Sequence, residues 1–225
     1  MNIPRITARD IGGISLPSFN SLEHPLIFMN IGDKISDIIG DSEVDDESLP
    51  DDPTVLVIED EEGLADLYTV WLEDGNNVKT AYSGKEGLEM ITEDVDVVLL
   101  DRRMPEMSGD EVLEEMRSRG YDCQVAMVTA VDPGVDIVEM PFDHYITKPL
   151  ERDDVQEAIE KLLERSSLDE NTQKRQTVRL KKAILQDESI EGQIEDSDEF
   201  AKLDRQLEKL ERNETSNEDI DDFFG

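Results

Sequence analysis

The sequence predicts an α/β protein: a doubly wound, five-stranded parallel sheet, followed by a small two-helix module and preceded by a disordered acidic extension. Three observations lead there. Val97-Val98-Leu99-Leu100 is an uninterrupted apolar run that stops at Asp101, and such a run reads as a strand buried on both faces. Runs of this kind alternate with helical periodicity through residues 54–165, the signature of parallel strands joined by crossover helices. Finally, Glu59 with Asp60, Asp101, Thr129 and Lys148 fall at the carboxyl ends of the first, third, fourth and fifth predicted strands. In open parallel sheets ligands gather beyond those ends, and right-handed crossovers bring them to one rim.

Taken in order, residues 1–52 show no sustained period. Pro4, Gly12, Gly13, Pro17, Pro25 and Gly32 punctuate them, and they close on the run Asp41-Ser42-Glu43-Val44-Asp45-Asp46-Glu47. Too little apolar surface is available there to offset ordering entropy, so disorder is expected. Val55-Leu56-Val57-Ile58 forms the first strand. Leu64, Leu67, Tyr68, Trp71 and Leu72 then share a helical face, which Gly75-Asn76 stops. Residues 78–82 make the second strand. Ser83 with Glu86 three residues on reads as a capping box opening a helix that carries Leu88, Met90 and Ile91.

After the Val97 strand, Pro105 and Gly109 impose a loop. A helix with Val112, Leu113 and Met116 runs to Gly120. Val125-Ala126-Met127-Val128 is the fourth strand. A Pro133-Gly134 segment leads to a fifth at residues 143–147, and a helix holding Val155, Ile159, Leu162 and Leu163 completes a domain spanning 53–165. Residues 166–213 carry two amphipathic stretches, Val178, Leu180, Ala183, Ile184 and Leu185, then Phe200, Leu203, Leu207 and Leu210, separated near Gly192. They read as a helical hairpin with too little apolar surface to stand alone, so docking or self-association is expected. Residues 214–225 read as a disordered acidic tail.

Charge narrows the setting. Lys plus Arg total 22 against 57 Asp plus Glu, a formal net charge of -35. Acidic tails supply part of this, but acids also crowd the folded middle at Glu59 to Glu62, Glu111 to Glu115 and Glu151 to Asp154. A uniformly acidic surface suits concentrated salt, where self-repulsion is screened. Nucleic-acid mimicry, the remaining explanation, has no supporting motif. Cys123 is the only cysteine, which excludes an internal disulfide or a cysteine zinc site. No apolar run approaches the ~18 residues of a membrane span, and no secretory leader pattern is visible. A soluble, cytoplasmic chain with no membrane partner is expected.

Three clustered carboxylates repel one another and suit a hard divalent cation such as Mg2+, while a lysine and a threonine hydroxyl opposite them suit phosphoryl oxygens. With these residues at these strand ends, residues 54–165 closely resemble the response-regulator receiver domain of two-component signalling, a flavodoxin-like fold. The resemblance implies that Asp101 accepts a phosphoryl group from the phosphohistidine of a sensor histidine kinase. It implies that Mg2+ is held by Asp60, by Asp101, by Glu59 through a water, and by the backbone carbonyl of Arg103. It assigns Thr129 and Lys148 to the phosphoryl oxygens, a cis peptide to Lys148-Pro149, and to Tyr145 the part of an aromatic that swings inward on activation as Thr129 moves. No enzymatic activity is implied beyond self-catalysed phosphoryl transfer and slow self-dephosphorylation. Two departures stand out: a short interval between Thr129 and Lys148, and Met140-Pro141-Phe142-Asp143 before the fifth strand. Both point to a shortened or irregular fourth helix.

Residues 168–212 resemble the HalX domain of haloarchaeal receivers, through Leu180-Lys181-Lys182-Ala183-Ile184-Leu185 and Ser197-Asp198-Glu199-Phe200-Ala201-Lys202-Leu203. Two outputs remain open. The hairpin acts as a phosphorylation-gated adaptor for a kinase, another regulator or a second copy, which is favoured. Alternatively, Lys174, Arg175, Arg179, Lys181 and Lys182 contact DNA phosphates, although no helix-turn-helix pattern accompanies them.

Overall fold

The computed structural model describes residue 50 and residues 52–130, 133–186 and 198–221, with backbone alone over 213–221. Five strands form one parallel sheet: β1 (Thr54–Ile58), β2 (Asn77–Ala81), β3 (Val97–Asp101), β4 (Gln124–Thr129) and β5 (His144–Thr147), in the order β2-β1-β3-β4-β5. That order reverses between β1 and β3, the switch point at which flavodoxin-like sheets place their ligands. The helices are α1 (Glu62–Leu72), α2 (Gly84–Met90), α3 (Gly109–Ser118), α4 (Arg152–Ser166), α5 (Glu170–Leu185) and α6 (Asp198–Asp221).

Alternation along the strands divides the interior in two. Val55, Val57, Val97, Leu99, Ala126, Val128 and Ile146 face α1 and α4, whereas Leu56, Ile58, Val98, Leu100, Val125, Met127 and Tyr145 face α2, α3 and the C-terminal helices. The central strands β1, β3 and β4 are buried along their whole length, which is why they read as unbroken apolar runs rather than alternating ones.

Local details differ from the sequence reading in instructive ways. Ala65, not Leu67, completes the buried stripe of α1 with Tyr68 and Leu72, and Leu67 is 40% exposed. Ser83 caps α2 by accepting from the Glu86 N–H, but the Glu86 carboxylate turns to the Tyr82 N–H instead of closing the box. The reciprocal box forms at α3, where Ser108 and Glu111 each accept the other's backbone N–H. Between β4 and β5 there is only a 3-10 turn, Val135–Val138, in place of a full helix, as the short interval implied.

The C-terminal hairpin fills the space beside that turn. Val178, Leu180, Ile184 and Leu185 of α5 and Leu203 of α6 join the core that holds Ile137, Val138, Phe142 and Tyr145. Arg179 pairs with Glu211 and Lys182 with Asp204, so the partner number falls as the residue number rises and the two helices run antiparallel. Arg165, 8% exposed, anchors the junction. It donates to Gln124 Oε1 at 2.9 Å, Asp143 Oδ1 at 3.1 Å, Thr177 Oγ1 at 2.7 Å and the Gln173 carbonyl at 2.6 Å. The last helix continues to Asp221, past residue 213 where the sequence suggested an acidic tail. The extension at 1–52 lies, except for residues 50 and 52, outside the described residues, as do 222–225.

Candidate functional site

Asp101 is the last residue of β3 and only 5% exposed. Its Oδ1 accepts from Lys148 Nζ at 2.6 Å, and its Oδ2 from the Arg103 N–H at 2.7 Å. Lys148 Nζ also donates to Glu59 Oε2 at 2.7 Å, placing one ammonium between two buried carboxylates. Burial raises the pKa of Glu59, the Lys148 bond lowers it and the Asp101 charge raises it again, leaving the carboxyl above its ordinary range. For Lys148, burial works against the charge, but the bonds to Asp101 and Glu59 outweigh it and hold the ammonium protonated. Removing that cation would leave like charges facing each other in a poorly solvated site.

The register explains why these groups meet. Ile58 pairs with Leu100, and Asp101 pairs with Val128 one residue before Thr129. The loop after Asp101 then folds back so closely that a Cβ at Gly109 would lie 2.3 Å from the Asp101 carbonyl oxygen and 2.9 Å from Arg102 Cα. Only glycine fits there. The Lys148-Pro149 peptide is cis.

Carboxylate oxygens of Glu59, Asp60 and Asp101 lie within 4.8 Å of one another. Three oxygen donors at this spacing match the chemistry of a small hard cation that keeps part of its water shell. Arg103 lies in the loop two residues past Asp101, with its own N–H on Asp101. Thr129 is fully buried, and its hydroxyl bonds the phenol of Tyr145. Tyr145 is 2% exposed and stacked at 5.5 Å on Phe142, so it already stands inward. Glu59, Asp60, Asp101, Thr129, Lys148 and Tyr145 therefore occupy one rim of the sheet.

The basic cluster lies apart from that rim. Lys174 pairs with Glu170, Arg175 reaches Thr172 Oγ1, Arg179 pairs with Glu211 and Lys182 with Asp204. Lys181 points into the protein. It donates to the carbonyls of Val138 at 2.8 Å and Met140 at 2.7 Å and sits 5.2 Å from the Phe142 ring centroid, and burial pushes its pKa down to about 8.

Arg102 went unnoticed in the sequence. It is 8% exposed and bonds Asp110, Asp136 and the Tyr145 hydroxyl. Burial opposes its charge, but these partners more than offset the cost. A charged residue directly after a buried strand was the available signal.

Residues 55–160 match the family described as response regulator receiver domain. This segment is a receiver domain. The homologues that carry such domains are two-component response regulators. The chain is similar to a candidate transcriptional regulator of Haloferax volcanii, with 46% identity over 158 residues, covering 69% of this chain and 27% of that protein. It is also similar to the transcriptional regulatory protein CiaR of Streptococcus pneumoniae, with 35% identity over 123 residues, covering 52% of this chain and 55% of CiaR. It thus spans about a quarter of the first and about half of the second. Among solved structures, the receiver domain of the Francisella response regulator 1452 matches with a TM-score of 0.48 and 28% identity, over 52% of this chain and 100% of that one. No described helix of the chain is long and apolar enough to cross a membrane.

Proposed function

We propose that this receiver domain accepts a phosphoryl group on Asp101 from a sensor histidine kinase, in a Mg2+-dependent reaction, and so switches the C-terminal hairpin as a protein-interaction adaptor. The observation that carries the reading is the Lys148 ammonium held at 2.6 Å from Asp101 and 2.7 Å from Glu59. In the transfer, an Asp101 carboxylate oxygen attacks phosphorus, the bond to the donor imidazole nitrogen breaks, and an acyl phosphate forms. A bound Mg2+ would be held by Glu59, Asp60, Asp101 and the Arg103 carbonyl, and would supply neutralisation of the phosphoryl oxygens. Lys148 offsets charge on the same oxygens, and the Thr129 hydroxyl is the donor placed to follow them. The acyl phosphate adds roughly -1.5 to -2 charges at the rim. Thr129 must then exchange its Tyr145 partner for a phosphoryl oxygen, a local event that biases a packed two-state element.

The reading extends to a HalX-type hairpin, to a cytoplasmic protein of a high-salt cell, and to a chain with no enzymatic role beyond its own phosphorylation and slow dephosphorylation. Self-association through α5 and α6 belongs to the same proposal. The names of the relatives favour a second output, transcriptional regulation through DNA. Lys181 would contribute little to it without undocking α5, because its ammonium is committed to two carbonyls.

Incubation with acetyl phosphate and Mg2+ should add one base-labile phosphoryl group to the wild type and none to Asp101→Asn, whose amide is no nucleophile. Undiminished labelling of the variant would remove Asp101 from the reaction.

A further inference from the structure

Arg102 is the residue immediately after the acceptor, and its guanidinium is divided among three elements. Nε and Nη2 hold Asp110 in the first turn of α3 at 3.0 and 3.1 Å. Nη2 also bonds Asp136 in the 3-10 turn, and Nη1 donates to the Tyr145 hydroxyl on β5 at 3.4 Å. That hydroxyl bonds Thr129 as well. The 3-10 turn is in turn gripped by the hairpin, through Lys181 on the Val138 and Met140 carbonyls and through the Lys202 ion pair with Glu139. A continuous run of polar contacts therefore leads from the acceptor loop to both C-terminal helices.

We propose that Arg102 is a positioning residue that holds Tyr145 inward against Thr129 and transmits the state of the acceptor loop, through Asp136, to the C-terminal hairpin. The proposal rests on the reading of Asp101 as acceptor. Only a planar fork with five donors reaches three partners in fixed directions, which an ammonium on a flexible stem does not do. The contacts are unequal. Asp110 and Asp136 are 43% and 54% exposed, so water can replace the guanidinium there at small cost. The Tyr145 contact is buried, and losing it leaves a phenol without that donor in a dry site. The joint to the 3-10 turn is thus the one that releases first, while Tyr145 stays held. The loop also has a direct cause to move: the Arg103 N–H is bonded to Asp101 Oδ2 and the Arg102 N–H to the Val128 carbonyl. New oxygens on Asp101 compete for the first of these and carry Arg102 with them.

The test uses the full chain labelled with 13C-tyrosine, with Tyr145→Phe assigning the Tyr145 signal. Without any phosphodonor, Arg102→Met should shift that signal to the solvent-exposed range. It should also raise amide hydrogen exchange in residues 178–185 by about tenfold, the effect of one charge-assisted hydrogen bond. Asp136→Asn, at an exposed position, should leave the Tyr145 signal in place. With beryllofluoride and Mg2+ as phosphoryl mimic, exchange in 178–185 should change in the wild type and stay constant in Asp136→Asn, which a merely structural Arg102 would not produce. An unmoved Tyr145 signal in Arg102→Met, an unresponsive wild-type hairpin, or an equal response in Asp136→Asn overturns the proposal. If Arg102→Met does not fold, Tyr145→Phe must itself raise exchange in 178–185, and failure to do so is equally fatal. Loss of the acceptor reading shows separately, as no base-labile label on the wild type, and the signal of Tyr145 without phosphodonor still decides whether Arg102 positions it.

Discussion

Acid should weaken this fold through a single imidazole, and the size of the effect follows from where the ring sits. His144 opens β5 and is 8% exposed. Burial pushes its pKa from 6.5 down to about 4; the charges of Lys161 and Arg165 push the same way, and Glu157 opposes them. The folded state therefore keeps a neutral ring where the unfolded chain takes up a proton. A depressed pKa of this kind gives stability that is complete above 6.5 and is lost as pH falls from 6.5 to about 4. At about pH 4.5 the window spans two pH units, and at ~1.4 kcal/mol per unit the loss is ~2.7 kcal/mol. Other groups titrate nearby: Glu59, whose pKa is raised mainly by burial, works in the opposite direction, and protonation of surface acids relaxes the net charge of -35. The comparison must therefore be between wild type and His144→Gln, in which everything else is common. Urea unfolding at molar KCl, at about pH 7.5 and about pH 4.5, should show the gap between them moving by about 2 to 3 kcal/mol in favour of the variant. A constant gap would mean that His144 protonates without unfolding, and the burial argument would be wrong.

Three further outcomes are expected. Gly109→Ala should destabilise the protein by about 1 to 3 kcal/mol and slow phosphorylation, because its Cβ would meet the Asp101 carbonyl oxygen at 2.3 Å, backbone that cannot step aside; wild-type values in denaturant titration and labelling would disprove the close approach. Dilution of KCl from molar to about 0.1 M, where the Debye length grows to ~10 Å, should cost circular dichroism signal; full retention would leave the acidity in need of a binding explanation. Arg103 is placed to pair with a phosphoryl oxygen and shield it, and Val131, which lies outside the described residues, offers no group to orient water. Arg103→Asn with Val131→Glu should therefore speed loss of label from the phosphorylated protein in Mg2+, each tenfold being ~1.4 kcal/mol of barrier; equal decay would place the control of signal lifetime elsewhere.

What the sequence determined by itself is whatever a short window can encode. Val97 to Leu100 announced a strand buried on both faces, and the carboxylate ending it sits on the rim because strand ends in a parallel sheet share one side. Glu59, Asp60, Asp101, Thr129 and Lys148 were legible for the same reason, each being a polar residue terminating an apolar run. The short step from Thr129 to Lys148 foretold the missing helix, since chain length limits what can form. Only the tertiary structure decided which charges are buried. Arg102 and Lys181 looked like solvated cations, yet one bonds Tyr145 and the other bonds Val138 across 43 residues of chain. Periodicity carries no term for such distances: a buried cation is stable only where several remote acceptors converge, and that convergence exists only once the sheet has closed and the hairpin has docked beside the 3-10 turn.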